Sequence, residues 1–264
     1  MTEAETAKYL ERINFDGATE PTLELLRTLQ KKHLLSIPFE NLDIHYKTPI
    51  QLNSANIFEK VINKKRGGFC YELNSLFYEL LRSIGFTVKT ISARVFNSKK
   101  QTFSPEFDHF AILANINSAN YLVDVGFGEF AFHPLEIESN TIQNDERGIF
   151  KIEKHDDKYY KVSKLVDENW IAEYIFSLQK RDLSEFEERC LYHQTSPESH
   201  FTQNKLCSLL TATGRITVTS DKIKITERNV ITELTINNEN EFLSALERYC
   251  NLRLNINVPS AKAI

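Results

Sequence analysis

The chain of 264 residues has no C-x-x-C pair, no H-E-x-x-H and no Cys/His cluster at metal-ligand spacing. No structural or catalytic metal is therefore expected. Its four cysteines, Cys70, Cys190, Cys207 and Cys250, lie far apart in sequence. That pattern suits reduced thiols rather than disulfides. No apolar run approaches the roughly 18 residues of a membrane span. The opening Met1-Thr2-Glu3-Ala4-Glu5 is acidic and polar and lacks a signal-peptide pattern, so a cytoplasmic location is expected. There is no long basic block, and the formal net charge is −4, which argues against nucleic acid or an anionic membrane as the main partner. Internal repeats and low-complexity linkers are missing too.

What is present fits a folded globular protein. Hydrophobic residues make up 41% of the chain and charged residues 26%. The length suits two or three structural units, and 18 Phe with 10 Tyr supply an aromatic core or pocket. Residues 1–85 read as mainly helical. A short helix fits Thr6 to Ile13. A second fits Thr22 to Leu35, with Pro21 just inside its start. Pro38 breaks the pattern, and Ser54 is placed to cap a further short helix. From Phe86 to about residue 177, alternating apolar segments predict a mostly antiparallel sheet or barrel. A short helix follows from Ser184 to Tyr192, with Ser184 as cap. The remainder mixes a hairpin (222–226 with 230–236) and a closing helix over Glu239 to Tyr249.

The chemistry concentrates at Arg66-Gly67-Gly68-Phe69-Cys70-Tyr71-Glu72-Leu73-Asn74. Leu73, Leu76, Phe77, Leu80, Leu81 and Ile84 recur at helical spacing and Gly85 ends the run. Cys70 therefore falls in a helix's first turn, delivered by a glycine turn. Unpaired N–H groups and the helix dipole favour a thiolate there. With a nearby imidazolium the thiol can drop from about 8.5 to roughly 3.5–7.5. The same position also suits a small buried hydrophobe.

A nucleophilic cysteine needs a base, and the base needs an orienting group. Of the seven histidines, His109 and His133 lie in the β half. His109 opens an apolar strand, and Asp124 sits in the next one between Val123 and Val125. A carboxylate there is unfavourable unless paired. Cys70, His109 and Asp124 are thus expected as nucleophile, general base and orienter. A hairpin turning through Asn117–Asn120 sets Asp124 opposite Leu113, and a tighter turn near Ile116–Asn117 sets it opposite His109; the sequence leaves the register open. His109 also suits a structural histidine, and Asp124 a bond to a turn backbone. Val125-Gly126-Phe127-Gly128 reads as a tight turn or as a close backbone approach to a ligand. As a phosphate-binding fingerprint it lacks the rest of G-x-G-x-x-G. Glu40 and Arg66 are placed to pair and brace the cysteine loop.

With these residues in view, the chain resembles the arylamine N-acetyltransferases. The segment from Arg66 to Asn74 looks like their signature. Ile37-Pro38-Phe39-Glu40-Asn41-Leu42, Asp108-His109, Tyr121 to Gly128 and Ser196-Pro197-Glu198-Ser199-His200-Phe201 resemble further family segments, in order, from about residue 8 to 250. The continuous sheet from 162 to 176 is more similar to the bacterial members. The resemblance implies an α+β fold with a cysteine-peptidase-like core: an N-terminal helical bundle (1–85), a central antiparallel β-barrel (86–190) and a C-terminal α/β lid (191–264). It implies a Cys-His-Asp triad on Cys70, His109 and Asp124. It implies acetyl-CoA as donor and an arylamine, arylhydroxylamine or arylhydrazine as acceptor. Phe39, Val95, Phe130 and Phe201 would line the acceptor pocket, narrowed by the bulk of Phe127 and Phe130. Gly126, Gly128 and Thr211 would face coenzyme A, and Glu40 and Arg66 would be structural. Two other classes share these residues: a cysteine hydrolase or transglutaminase-like enzyme, and a binding protein that keeps the fold without the reactivity. The physiological acceptor and the oligomeric state have no signature in the sequence.

Overall fold

Alternation of period two along the strand His109–Ile116 separates two of the molecule's hydrophobic cores. Phe110, Ile112 and Ala114 face a helical core, while Ala111 and Leu113 face the inside of a barrel. The computed structural model describes residues 1–137, 141–228 and 230–254. Residues 255–264, the end of the expected lid, fall outside that set.

The helical part holds helices Glu3–Arg12, Leu23–Ser36, Ser54–Phe58 and Cys70–Ile84. Each starts on a polar cap except the last. Thr22 Oγ1 accepts the Leu25 N–H at 3.2 Å, so Thr22 caps the second helix and Pro21 lies outside it. Asn53, one residue before the expected Ser54, caps the third by accepting the Ala55 and Asn56 N–H groups. That helix runs on into a π-helical turn, Glu59–Asn63.

The barrel strands are all antiparallel. Their spatial order is Leu135–Glu136, Ala119–Val123, His109–Ile116, Thr87–Asn97, Asn169–Ser177, Tyr159–Val166, Gly148–Lys154 and Gln143–Asp145. The two ends nearly close: the Gln143 side-chain amide accepts the Glu136 N–H (2.8 Å) and donates to the Glu136 carbonyl (2.9 Å). One amide thereby stands in for a backbone ladder.

A second sheet covers the site. Its order is Phe39–Glu40, Leu206–Thr211, Gly214–Thr219, Lys222–Glu227 and Val230–Thr235. Helix Glu239–Cys250 seals one face through Phe242 and Leu246 on Cys207, Val218 and Ile223. The strand Leu206–Thr211 and its partner did not stand out in the sequence. The expected boundary at 190/191 lies inside helix Glu187–Thr195, whose Cys190 is buried in the helical core. Asp182, rather than Ser184, starts that segment, and it begins as a 3-10 turn.

Candidate active site

Cys70 is the first residue of its helix. Phe69 cannot cap with its side chain, so Glu72 reaches back to accept the Phe69 N–H at 3.1 Å. Glu72 also pairs with Lys60 (2.8 Å), and Lys60 with Asp43 (2.8 Å). Arg66 Nη2 pairs with Glu40 (2.7 Å) and Asp43 (2.8 Å), so the expected Glu40–Arg66 brace exists inside a five-member charge cluster. Burial would lower the Lys60 ammonium, but Glu40, Glu72 and Asp43 outweigh it and hold it above its ordinary value. Burial raises Glu72.

The glycine pair before Cys70 serves close approach rather than a left-handed turn. A Cβ on Gly67 would meet the Pro38 carbonyl oxygen at 2.0 Å. The left-handed residue of this loop is Lys65, at φ 53°. Gly68 O accepts the Glu40 N–H at 2.9 Å, which ties the cysteine loop to the strand that enters the covering sheet.

The hairpin register is neither of the two weighed from sequence. Ile112 pairs with Val123 and Ile116 with Ala119, leaving Asn117 and Ser118 as a two-residue turn, both at positive φ (50° and 66°). Continued by one residue, that register sets Asp124 against Ala111. His109 is then its diagonal neighbour on the barrel-facing side. The Asp124 carboxylate reaches it: His109 Nε2 lies 2.6 Å from Asp124 Oδ2.

Asp124 is fully buried with every oxygen occupied. Oδ2 also accepts from Tyr174 OH (3.0 Å), and Oδ1 accepts from Asn74 Nδ2 (2.8 Å) and the Gly126 N–H (2.9 Å). Asn74 Oδ1 in turn accepts the Val125 N–H at 2.8 Å. Asn74 and Tyr174 escaped the sequence reading. Asn74 carried a signal, being a polar residue one helical turn after Cys70 and so on the same face of the helix. The Asn74 clamp holds Gly126 so close that a Cβ there would lie 2.7 Å from Cys70 Cα.

Cys70 and His109 line one cavity of about 510 Å³. Phe39, Val95, Phe201, Gly126 and Gly128 line it as well. Phe127 does too, its ring 5.3 Å from the His109 ring. Phe130 does not: it is turned into the barrel, 6.3 Å from both Phe150 and Tyr174. Thr211 lines a second cavity of about 410 Å³, which shares Glu129, Arg215, Thr217 and Lys224 with the first. His133 is elsewhere, held by Asp145 at 2.8 Å. Burial pushes the Cys70 thiol well above its ordinary value; the Phe110 backbone opposes, and the Asp124 and Asp108 charges reinforce. Burial thus opposes the thiolate that the helix start favours. Among the described residues no group of three or more His, Cys, Asp or Glu side chains could hold a metal, and no helix is long and apolar enough to cross a membrane.

Residues 22–258 match a family model described as N-acetyltransferase. The chain is 32% identical over 227 residues to the pineal gland arylamine N-acetyltransferase isozyme NAT-3 of Gallus gallus, covering 78% of each. It superposes on the arylamine N-acetyltransferase of Salmonella typhimurium with a TM-score of 0.89 at 27% identity, covering 96% of this chain and 92% of that one. A Bacillus cereus arylamine N-acetyltransferase, described as having a unique Cys-His-Glu triad, shares the fold with a TM-score of 0.89 at 23% identity, covering 96% and 100%. The α+β architecture with its nearly closed barrel is that of these structures.

Proposed function

The chain belongs to the arylamine N-acetyltransferase family, and from that premise we propose that it carries an acetyl group from acetyl-CoA to arylamines, arylhydroxylamines and arylhydrazines through an acetyl-cysteine on Cys70. The observation that carries this reading is a cysteine and a carboxylate-backed histidine, His109, opening on one cavity.

Each residue then has a role. Asp124, bound to Nε2, keeps the proton on that nitrogen and leaves Nδ1 for exchange with Cys70. Burial opposes a lone thiolate. Moving the thiol proton to His109 instead makes a net-neutral ion pair, with Asp124 behind the imidazolium. The Cys70 sulfur attacks the thioester carbonyl. As the tetrahedral intermediate collapses, coenzyme A leaves as a thiol with the His109 proton. The acceptor nitrogen then attacks the S-acetyl carbonyl. His109 takes its proton, and the Cys70 sulfur leaves. An arylamine suits this step because it is uncharged at neutral pH and its lone pair is free.

The acceptor ring belongs against Phe39, Val95, Phe127 and Phe201. Gly126, Gly128 and the second cavity, with Thr211, Arg215 and Lys224, would take coenzyme A; hydroxyls and cations suit its phosphates. We also propose a division into helical, barrel and lid parts, supported by three separate hydrophobic clusters, and a cytoplasmic setting. Initial rates with acetyl-CoA and a neutral aniline, both varied, test the mechanism. Parallel double-reciprocal lines are expected; intersecting lines would exclude a free acetyl-enzyme.

A further inference from the structure

The Cys70 cavity has two chemically different walls. On one, the strands Gly214–Thr219 and Lys222–Glu227 contribute Arg215 and Lys224. Glu129 sits among them but is paired with Lys164 (3.0 Å), Arg215 (3.5 Å) and Arg147 (3.8 Å). This is the wall shared with the second cavity. On the other, the residue preceding His109 and two helices contribute Asp108, His193 and His200.

The Asp108 carboxylate is held by one oxygen only. Its Oδ1 accepts from Arg189 Nε (2.6 Å), is ion-paired with Arg189 Nη2 (2.6 Å) and lies 3.0 Å from His193 Nε2. Arg189 lies over the Tyr192 ring at 3.9 Å, and His193 Nδ1 lies 3.1 Å from Ser199 Oγ, so both donors are fixed where they are. Oδ2 has no partner among the described residues, and Asp108 lines the cavity. Burial would raise this carboxyl, but the His193 bond and charge and the Arg189 charge hold it at about 2. An ionised oxygen is thus presented to whatever occupies the cavity beside Cys70.

We propose that Asp108 determines acceptor specificity: its Oδ2 accepts a hydrogen bond from an N–H or O–H donor carried on the aromatic acceptor, and it repels acceptors that carry a carboxylate. The inference rests on the reading above, that this cavity admits the acceptor to Cys70. A bond to an ionised oxygen is about twice as strong as a neutral one. A second carboxylate brought against Asp108 in a largely buried pocket meets like charge with little water to screen it. The same charge turns the polyanionic donor toward Arg215 and Lys224. The two substrates thereby approach one sulfur from opposite walls.

Matched anilines test this: meta and para isomers bearing an aminomethyl or hydroxymethyl group, the corresponding carboxylates, and aniline itself, each with acetyl-CoA. The wild type is expected to prefer the donor-bearing member of a pair by about tenfold or more in kcat/KM. Asp108→Asn should collapse that ratio by about tenfold. Because both acceptors are measured on one preparation, partial unfolding cancels. Arg189→Gln takes the guanidinium off Oδ1, leaving the His193 bond, and keeps the carboxylate, so it should retain or enlarge the preference. A merely structural Asp108 would move both variants alike. Acetylation of aniline with a ratio that Asp108→Asn leaves unchanged overturns this inference alone. A wild type that acetylates none of the set overturns the function on which it rests.

Discussion

At Gly126 a methyl group has no room. A Cβ there would lie 2.7 Å from Cys70 Cα, 2.7 Å from Asn74 Nδ2 and 3.0 Å from Cys70 Cβ. Two of those atoms belong to the buried first residue of a helix, which cannot swing aside as a long side chain can. Forcing such a contact costs about 1–3 kcal/mol. For a chain of this size that is a fall in Tm of roughly 2–10 °C. The effect on rate should be larger. The Gly126 N–H bonds Asp124 Oδ1 and the Val125 N–H bonds Asn74 Oδ1, so displacing this segment moves Asp124, and His109 with it, relative to Cys70. A misplacement of about 1 Å between reacting groups costs about 100-fold. Gly126→Ala should therefore fold, melt a few degrees early and lose about 100-fold in kcat/KM for aniline acetylation. Circular dichroism and a coupled assay for released coenzyme A thiol would read both. Wild-type kcat/KM with a wild-type Tm would refute the claim that this glycine sets the distance between the cysteine helix and the His–Asp pair.

Three further substitutions probe separate parts of the account. Tyr174→Phe removes one of the four donors on Asp124, which weakens the hold on that carboxylate by about 1.5–3 kcal/mol; a lower kcat at unchanged acceptor KM is expected, and an unchanged kcat would show that Tyr174 is dispensable. Lys60→Met leaves Glu40, Asp43 and Glu72 with Arg66 as the one remaining cation of the cluster. Breaking a buried ionic cluster this way costs about 3–5 kcal/mol, so urea unfolding should shift to lower concentration; an unmoved midpoint would contradict the cluster's role. Burial holds His33, bonded to Tyr9 at 2.6 Å, at a pKa of about 3. The unfolded chain binds that proton below about pH 6.5, so the fold loses on the order of 5 kcal/mol as pH falls from 6.5 toward 3, and nothing above 6.5. His33→Gln should flatten the stability curve across that window, whereas curves that stay parallel would show that another group drives acid unfolding.

Much of the site could be read from single residues whose type disagreed with their surroundings. Cys70 after two glycines announced a helix start, and Asp124 inside an apolar strand announced a partner. What stayed hidden depended on backbone geometry. The register turned on Asn117 and Ser118 both adopting positive φ, which neither residue requires. Gly67 and Gly68 looked like turn glycines, but Gly67 lets Pro38 and Glu40 approach and Gly68 lets Glu72 approach. Phe130 and Phe127 are chemically alike and three residues apart, and only the loop's path decides which ring faces the cavity and which the barrel. Tyr174 was read only as a β residue because its hydroxyl's partner, Asp124, lies 50 positions away. The covering strand Leu206–Thr211 shows little alternation in burial and gave no clear period.

The central claim is that the Cys70 sulfur itself carries the acetyl group between substrates. Intact-protein and peptide mass spectrometry after brief exposure to acetyl-CoA alone reads this directly. A single gain of about 42 Da on the Cys70 peptide, discharged on adding aniline and missing in Cys70→Ala, is the expected result. Acetyl transfer to aniline that proceeds in Cys70→Ala, or an adduct on any cysteine other than Cys70, would contradict it.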